Sequence, residues 1–256
     1  MKKAVALVAG LALLAPRAAL ACGASGAAGA GVCDASESID AKAQRRERFG
    51  VTYGFTKTVM FFGDGRRAEM TRSTALVTWE HVFSRRWSLQ LGAGTLLGGS
   101  LVTPIETAVL QPGFLTAVTL THRVFESEGG ARDGRPFVLT TYGLSFVTTR
   151  VDGDSRGYTA LDFRFGLLVG TTFAGAVTPY ASARLFGGPA FFRWNEGTST
   201  TSVVGTDAYK YEVGGGVVFT VGARDGTRHG GTRAAFFVEG AAWGEKSLRG
   251  GASVSF

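Results

Sequence analysis

From Phe49 onward, large apolar side chains fall on every second residue. Phe49, Val51, Tyr53, Phe55, Val59 and Phe61 alternate with Gly50, Thr52, Gly54, Thr56 and Thr58. Successive side chains of a strand point to opposite faces, so the spacing predicts a strand with one bulky apolar face and one small, polar face. The pattern returns after each cluster of turn residues. Ala75, Val77, Trp79 and Phe83 oppose Arg72, Thr74, Thr78 and Glu80; Trp87, Leu89, Leu91 and Ala93 oppose Ser88, Gln90, Gly92 and Gly94; Phe114, Val118 and Leu120 oppose Ala117, Thr119, Thr121 and Arg123. A fifth strand runs roughly from Phe137 to Arg150, with Tyr142, Leu144 and Phe146 on its apolar side. In the sixth, Leu161, Phe163, Phe165, Leu167 and Val169 face away from Asp162, Arg164 and Gly166. Four more follow: Tyr180 to Phe192 with Ser182 and Arg184 inward, Ala208 to Val221 with Lys210 and Glu212 inward, Arg233 to Ala242 with Glu239 inward, and Lys246 to Phe256 with Arg249 inward.

Two opposite charges inside the apolar sixth segment must point away from hydrocarbon, because a charge on a lipid-facing strand position costs roughly 2–4 kcal/mol at the bilayer midplane. After the N-terminal segment no run of about 18 apolar residues remains to form a transmembrane helix. If the chain spans a bilayer, it does so as a closed barrel, since an open sheet edge would leave backbone groups unpaired in lipid. A secreted β-sandwich would share the composition. The 38 glycines among 256 residues, about twice the usual ~7%, suit strands coiled tightly around a small lumen. Arg72, Glu80, Arg123, Asp162, Arg164, Arg184, Lys210, Glu212, Glu239 and Arg249 are the predicted lumen-lining set. In so narrow an interior they should pair with one another, and their excess of cations suggests weak anion selectivity if a path stays open.

The two ends of the chain sharpen this reading. Met1-Lys2-Lys3, the apolar run Ala4 to Ala15 and the Ala19-Leu20-Ala21 site have the order of an export signal. Residues 1–21 are therefore read as a signal peptide removed after Ala21. Losing Lys2, Lys3 and Arg17 with it lowers the formal charge from +7 to +4. No basic block interleaved with aromatics points to nucleic acid. At the other end, Arg249, Gly251, Val254 and the final Phe256 fall on the four defined positions of a short motif. It resembles the C-terminal insertion signal of small bacterial outer-membrane β-barrel proteins, which implies the outer membrane of a Gram-negative bacterium as location, the barrel assembly machinery as a partner during insertion, and outer-membrane lipid and lipopolysaccharide as surroundings. Residues 22–48 lack a two-residue period and read as a periplasmic tail or short plug. Cys22 and Cys33 could close a disulfide in an oxidising compartment. Cys22 also directly follows the cleavage site, which leaves acylation open, although Ala19 stands where a lipobox has Leu.

The reading is thus all-β: an antiparallel up-and-down transmembrane β-barrel over residues 49–256, with about ten strands and eight or twelve left open. With both termini periplasmic, the outer loops are Gly63 to Ala68, Gly98 to Pro112, Asp152 to Arg156, Arg193 to Asp207 and Trp243 to Glu245, and the inner connections near Glu126 to Arg135 and Arg224 to Thr232 are long. Aromatics near strand ends suggest two interfacial girdles: Phe49, Phe83, Trp87, Phe137, Tyr180 and Phe256 inside, and Phe61, Phe62, Tyr158, Trp194, Tyr209 and Trp243 outside. His81 and His122 fall on outward faces near the periplasm, and His229 in an inner connection, so no His joins an acid at the outer rim as a membrane protease would need. Asp152-Gly153-Asp154 reads as a turn. No catalytic residue, metal ligand or cofactor is predicted. The function read from the chain is non-enzymatic: a monomeric structural barrel or narrow passive pore with a charge-paired lumen, the alternatives being a surface protein that binds through its loops and, less favoured, an outer-membrane hydrolase.

Overall fold

The computed structural model describes residues 46–127, 134–153, 156–196, 199–222 and 232–256. The signal segment, Cys22, Cys33, the tail up to Arg45, Asp154, His229, most of the two long inner connections and the side chain of Trp194 lie outside the described residues.

Thirteen strand segments follow in order: β1 (Glu47–Phe62), β2 (Arg67–Val82), β3 (Trp87–Val102), β4 (Thr107–Leu110), β5 (Gly113–Glu126), β6 (Arg135–Arg150), β7 (Gly157–Thr172), β8 (Val177–Gly187), β9 (Ala190–Glu196), β10 (Ser199–Asp207), β11 (Tyr211–Gly222), β12 (Arg233–Gly244) and β13 (Lys246–Ser255). All pairings are antiparallel. Through the inner half the ring runs β1, β2, β3, β5, β6, β7, β8, β11, β12, β13 and back to β1. This is a closed ten-stranded antiparallel barrel, with β4 and β5, β8 and β9, and β10 and β11 acting as broken single strands.

The break between β8 and β9 changes the ring. Gly188 lets the backbone press against β7: a Cβ there would stand 1.8 Å from the Leu161 carbonyl oxygen. Past this point β9 stays on β7, while β10 leaves β11 and pairs with the outer end of β1, Met60 opposite Asp207 and Phe62 opposite Gly205. The β12–β13 hairpin stops below this seam, its tip tied by the Glu245 N–H to the Tyr211 carbonyl at 3.1 Å. The outer rim is therefore closed by eight strands: β1, β2, β3, β4, β6, β7, β9 and β10.

The two-residue period survives intact in the burial. Along β1, Phe49, Val51, Tyr53, Phe55 and Phe61 are exposed while Arg48, Thr52, Thr56, Thr58 and Met60 are buried. Phe163, Phe165, Leu167 and Val169 on β7 likewise face out, with Arg164 and Leu168 in. An apolar exterior around buried ion pairs is the arrangement of a barrel that meets hydrocarbon.

Four expectations are corrected. Gly98 to Pro112 and Arg193 to Asp207 are not long surface loops, since β3 extends to Val102 and pairs with β4, and β9 and β10 form a hairpin. The ladder satisfies their backbone groups and carries the barrel past the expected rim. Phe62, Phe137, Tyr158 and Tyr180 belong to neither girdle; each is buried inside, at 6% exposure or less. Their strand parity places them with the small inward residues, and the interior needs bulk at both ends. Glu47 and Arg48, assigned to the tail, already belong to β1. Lys210 does not line the lumen: it is exposed in the short link between β10 and β11, where the chain changes partner and strand parity lapses.

Candidate functional site: the interior ion layer

Inside the barrel the side chains form strata. Toward the outer rim lies an apolar cluster that includes Met60, Phe62, Met70, Leu96, Leu101, Leu110, Tyr158 and Phe192. Toward the inner mouth lies a smaller one of Phe137, Leu139, Leu168, Tyr180, Val218, Ala235 and Phe237. Among the described residues, four arginines and four carboxylates pair at the level between.

The core of that layer is two cross-strand pairs set side by side. Arg184 on β8 is the register partner of Glu212 on β11, and Glu239 on β12 that of Arg249 on β13. Arg184 reaches Glu212 at 2.6 Å and Glu239 at 2.7 Å; Arg249 reaches Glu212 at 2.6 Å and Glu239 at 2.8 Å. Each carboxylate thus bridges two guanidinium groups, and Tyr180 donates its hydroxyl to Glu239 at 2.9 Å. Tyr180 has room because Gly216 faces it across the sheet, where a Cβ would stand 2.6 Å from the hydroxyl. This is the close approach that the Gly214-Gly215-Gly216 run permits.

The hairpin tip supplies the fourth carboxylate. Gly244 has φ +78°, and a Cβ on it would lie 1.8 Å from the Tyr211 carbonyl oxygen, so the turn requires glycine. The turn aims the fully buried Glu245 inward, 3.0 Å from Arg164, 3.4 Å from Arg72 and 3.4 Å from Arg249. Arg164 also holds Asp162 at 2.6 Å and lies over the Phe186 ring, 4.5 Å from its centroid. Arg72 donates to Thr56 at 2.9 Å. On the outer side of this layer a void of about 20 Å³, room for a single water, touches Thr56, Arg72, Leu115, Val147, Asp162 and Arg164.

Seven of the ten predicted lining residues meet here: Arg72, Asp162, Arg164, Arg184, Glu212, Glu239 and Arg249. Glu80 and Arg123 are buried nearer the inner mouth, Glu80 paired with Arg48 at 2.8 Å and Arg123 with Glu126 at 2.7 Å. Lys210 is outside, as described above. Sequence reasoning missed Glu245, assigned to an outer turn, and Arg48, assigned to the tail. Parity carried both signals, since Glu245, Ser247 and Arg249 share one face of the last strand, and Arg48 shares a face with Thr52. With Glu245 counted, the layer holds four cations against Asp162, Glu212, Glu239 and Glu245. The cation excess expected from the sequence, and the anion selectivity drawn from it, have no basis in this arrangement.

The terminal motif lies at the seam between β13 and β1. Phe256 stacks on Phe49 with ring centroids 5.9 Å apart, and its N–H donates to the Glu47 carbonyl at 3.2 Å. Val254 is buried, and a Cβ on Gly251 would meet the Val51 carbonyl oxygen at 2.6 Å. At the same inner edge, Glu47 accepts from Trp79 Nε1 and contacts His81 Nδ1, each at 2.6 Å, while His122 stacks on Trp87 at 4.0 Å.

No family model matches this chain, and no curated protein matches it in sequence. Among solved structures it is similar to the outer membrane protein OprG from Pseudomonas aeruginosa, at 9% identity and TM-score 0.45, covering 83% of this chain and 97% of that one. It is also similar to the translocator domain of the autotransporter NalP from Neisseria meningitidis, at 11% identity and TM-score 0.37, covering 82% and 88%. A third is the toluene transporter TodX from Pseudomonas putida, at 8% identity and TM-score 0.30, covering 93% and 96%.

Proposed function

We propose that the chain is an exported, non-enzymatic outer-membrane barrel, monomeric, with both ends on the periplasmic side and its interior closed by its own side chains. The observation that carries this reading is the ion layer. Arg164, Arg184 and Arg249 are each 5% exposed or less and are held by carboxylates on β7, β11 and β12 and at a hairpin tip. Buried charges paired in this way act as a plug: an ion entering the layer would have to displace a charge-assisted hydrogen bond rather than water. The apolar strata on either side add further resistance to hydrated ions.

Planar-bilayer recording tests this. The wild-type barrel should pass no sustained current, and the double variant Arg164→Ala/Arg184→Ala should pass one, because it removes two of the four guanidinium groups of the plug. A steady ion-selective current through the wild-type protein would overturn the closed-barrel reading in favour of a narrow passive pore.

A further inference from the structure

The outer surface around the tip of the β12–β13 hairpin carries lysines that the ion layer does not use. Lys246 is the register partner of Lys57, and both side chains face outward. Directly opposed side chains on neighbouring strands stand about 5 Å apart, and like charges in that position repel. Glu69 neutralises Lys57 at 2.6 Å. Lys246 has no such partner among the described residues, and neither does Lys210. The two belong to one spot on the wall, because the hydrogen bond from the Glu245 N–H to the Tyr211 carbonyl joins their immediate chain neighbours. Three exposed aromatics surround them: Tyr209, Tyr211 and Trp243, the last at 66% exposure.

Their height identifies the surroundings. Lys57 lies eight residues along β1 from Phe49, and Lys246 ten residues from Phe256. At about 3.3 Å per residue and a tilt near 40°, these spans rise roughly 20–25 Å, the height of the apolar band of such barrels. The lysines therefore stand at the outer edge of the hydrocarbon, at the level of the outer-leaflet headgroups. Ammonium groups there suit phosphate, and exposed Trp and Tyr rings suit the half-polar zone beside it.

We propose that Lys210, Lys246 and the rings of Tyr209 and Trp243 form a binding site for a phosphorylated glycolipid of the outer leaflet, with the two ammonium groups on its phosphates. This rests on the membrane placement proposed above. The test uses the detergent-purified barrel and native mass spectrometry with added bis-phosphorylated lipid A, its dephosphorylated form, phosphatidylglycerol and inorganic phosphate. The wild type should retain the bis-phosphorylated lipid, and inorganic phosphate should not displace it. Lys210→Gln/Lys246→Gln should retain it about 25-fold less, roughly fivefold for each lysine. Equal retention by the double variant, or of dephosphorylated lipid A or phosphatidylglycerol by the wild type, would overturn the proposal. Heat-modifiable gel migration reports whether the variant is folded, and the single variant Lys246→Gln, expected to lose about fivefold, serves if it is not. Insertion of the wild type into lipid vesicles separates the two readings: a barrel that inserts but retains no glycolipid refutes the site alone, whereas one that fails to insert refutes the membrane placement.

Discussion

Removing the Glu239 carboxylate should destabilise the barrel more than any surface change. Glu239 is 1% exposed and accepts both terminal nitrogens of Arg184 at 2.7 Å, Arg249 at 2.8 Å and the Tyr180 hydroxyl at 2.9 Å. Glu239→Leu leaves Arg184 and Arg249 sharing Glu212 in a water-poor interior. Breaking a buried pair from one side costs about 3–5 kcal/mol, or roughly two to three and a half powers of ten in the unfolding equilibrium. Urea unfolding of the barrel refolded into lipid vesicles, followed by tryptophan fluorescence and heat-modifiable migration, measures it. The companion variant Arg184→Leu/Glu239→Leu leaves Glu212 and Arg249 as a balanced pair and replaces the other two charges with apolar volume, a change that is often close to neutral. It should therefore be more stable than Glu239→Leu alone. A loss below about 1 kcal/mol for the single variant, or a double variant equal to the sum of the two singles, would refute the claim that these groups act as one coupled unit.

Two further outcomes follow from the turn and the seam. Gly244→Ala should cost at least about 1–2 kcal/mol from its left-handed backbone and more from the Tyr211 carbonyl in its path, whereas Gly65→Ala, at φ +85° with nothing within 4 Å, should show the backbone cost only; equal losses by urea unfolding would contradict the steric account. Deleting Phe256 removes the stack on Phe49 and the hydrogen bond to Glu47, so the truncated chain should reach the outer membrane in reduced amount, and unchanged levels in fractionated cells would contradict a role for the terminal motif in insertion.

The fold was largely legible because a strand's side-chain period is two and one face of every strand here is bulky and apolar. Ten strands and the inward facing of Arg72, Asp162, Arg164, Arg184, Glu212, Glu239 and Arg249 all follow from that period. Where the period is interrupted, legibility ends. Lys210 sits in a link between strand segments, so parity counted from Glu212 does not hold for it. Glu245 sits in a turn, where a carboxylate ordinarily seeks water, and only the fixed distance from Arg249 marks it as inward. Phe137 and Tyr180 are misplaced for another reason. An aromatic near a strand end can serve an interface or fill a mouth, and local sequence does not distinguish these; only closure of the ring shows that the inner mouth needs filling. The loss of two strands toward the outer rim is nonlocal as well, since nothing in β10 itself records that its partner will be the first strand rather than β11's neighbour.

That change in strand number makes β1 the shared edge of two closures. Its inner stretch zips to the last strand of the chain, and its outer stretch to a hairpin some forty residues earlier in sequence. The cylinder thus tapers, and the terminal hairpin is a wedge driven into a smaller tube beneath a lintel formed by β10. Sealing the top does not require the wedge to be seated, but locking the middle does, because the wedge brings Glu245 and Arg249 to the guanidinium groups already in place. Completion of the wall and completion of the ion layer are therefore one event, performed by the β12–β13 hairpin.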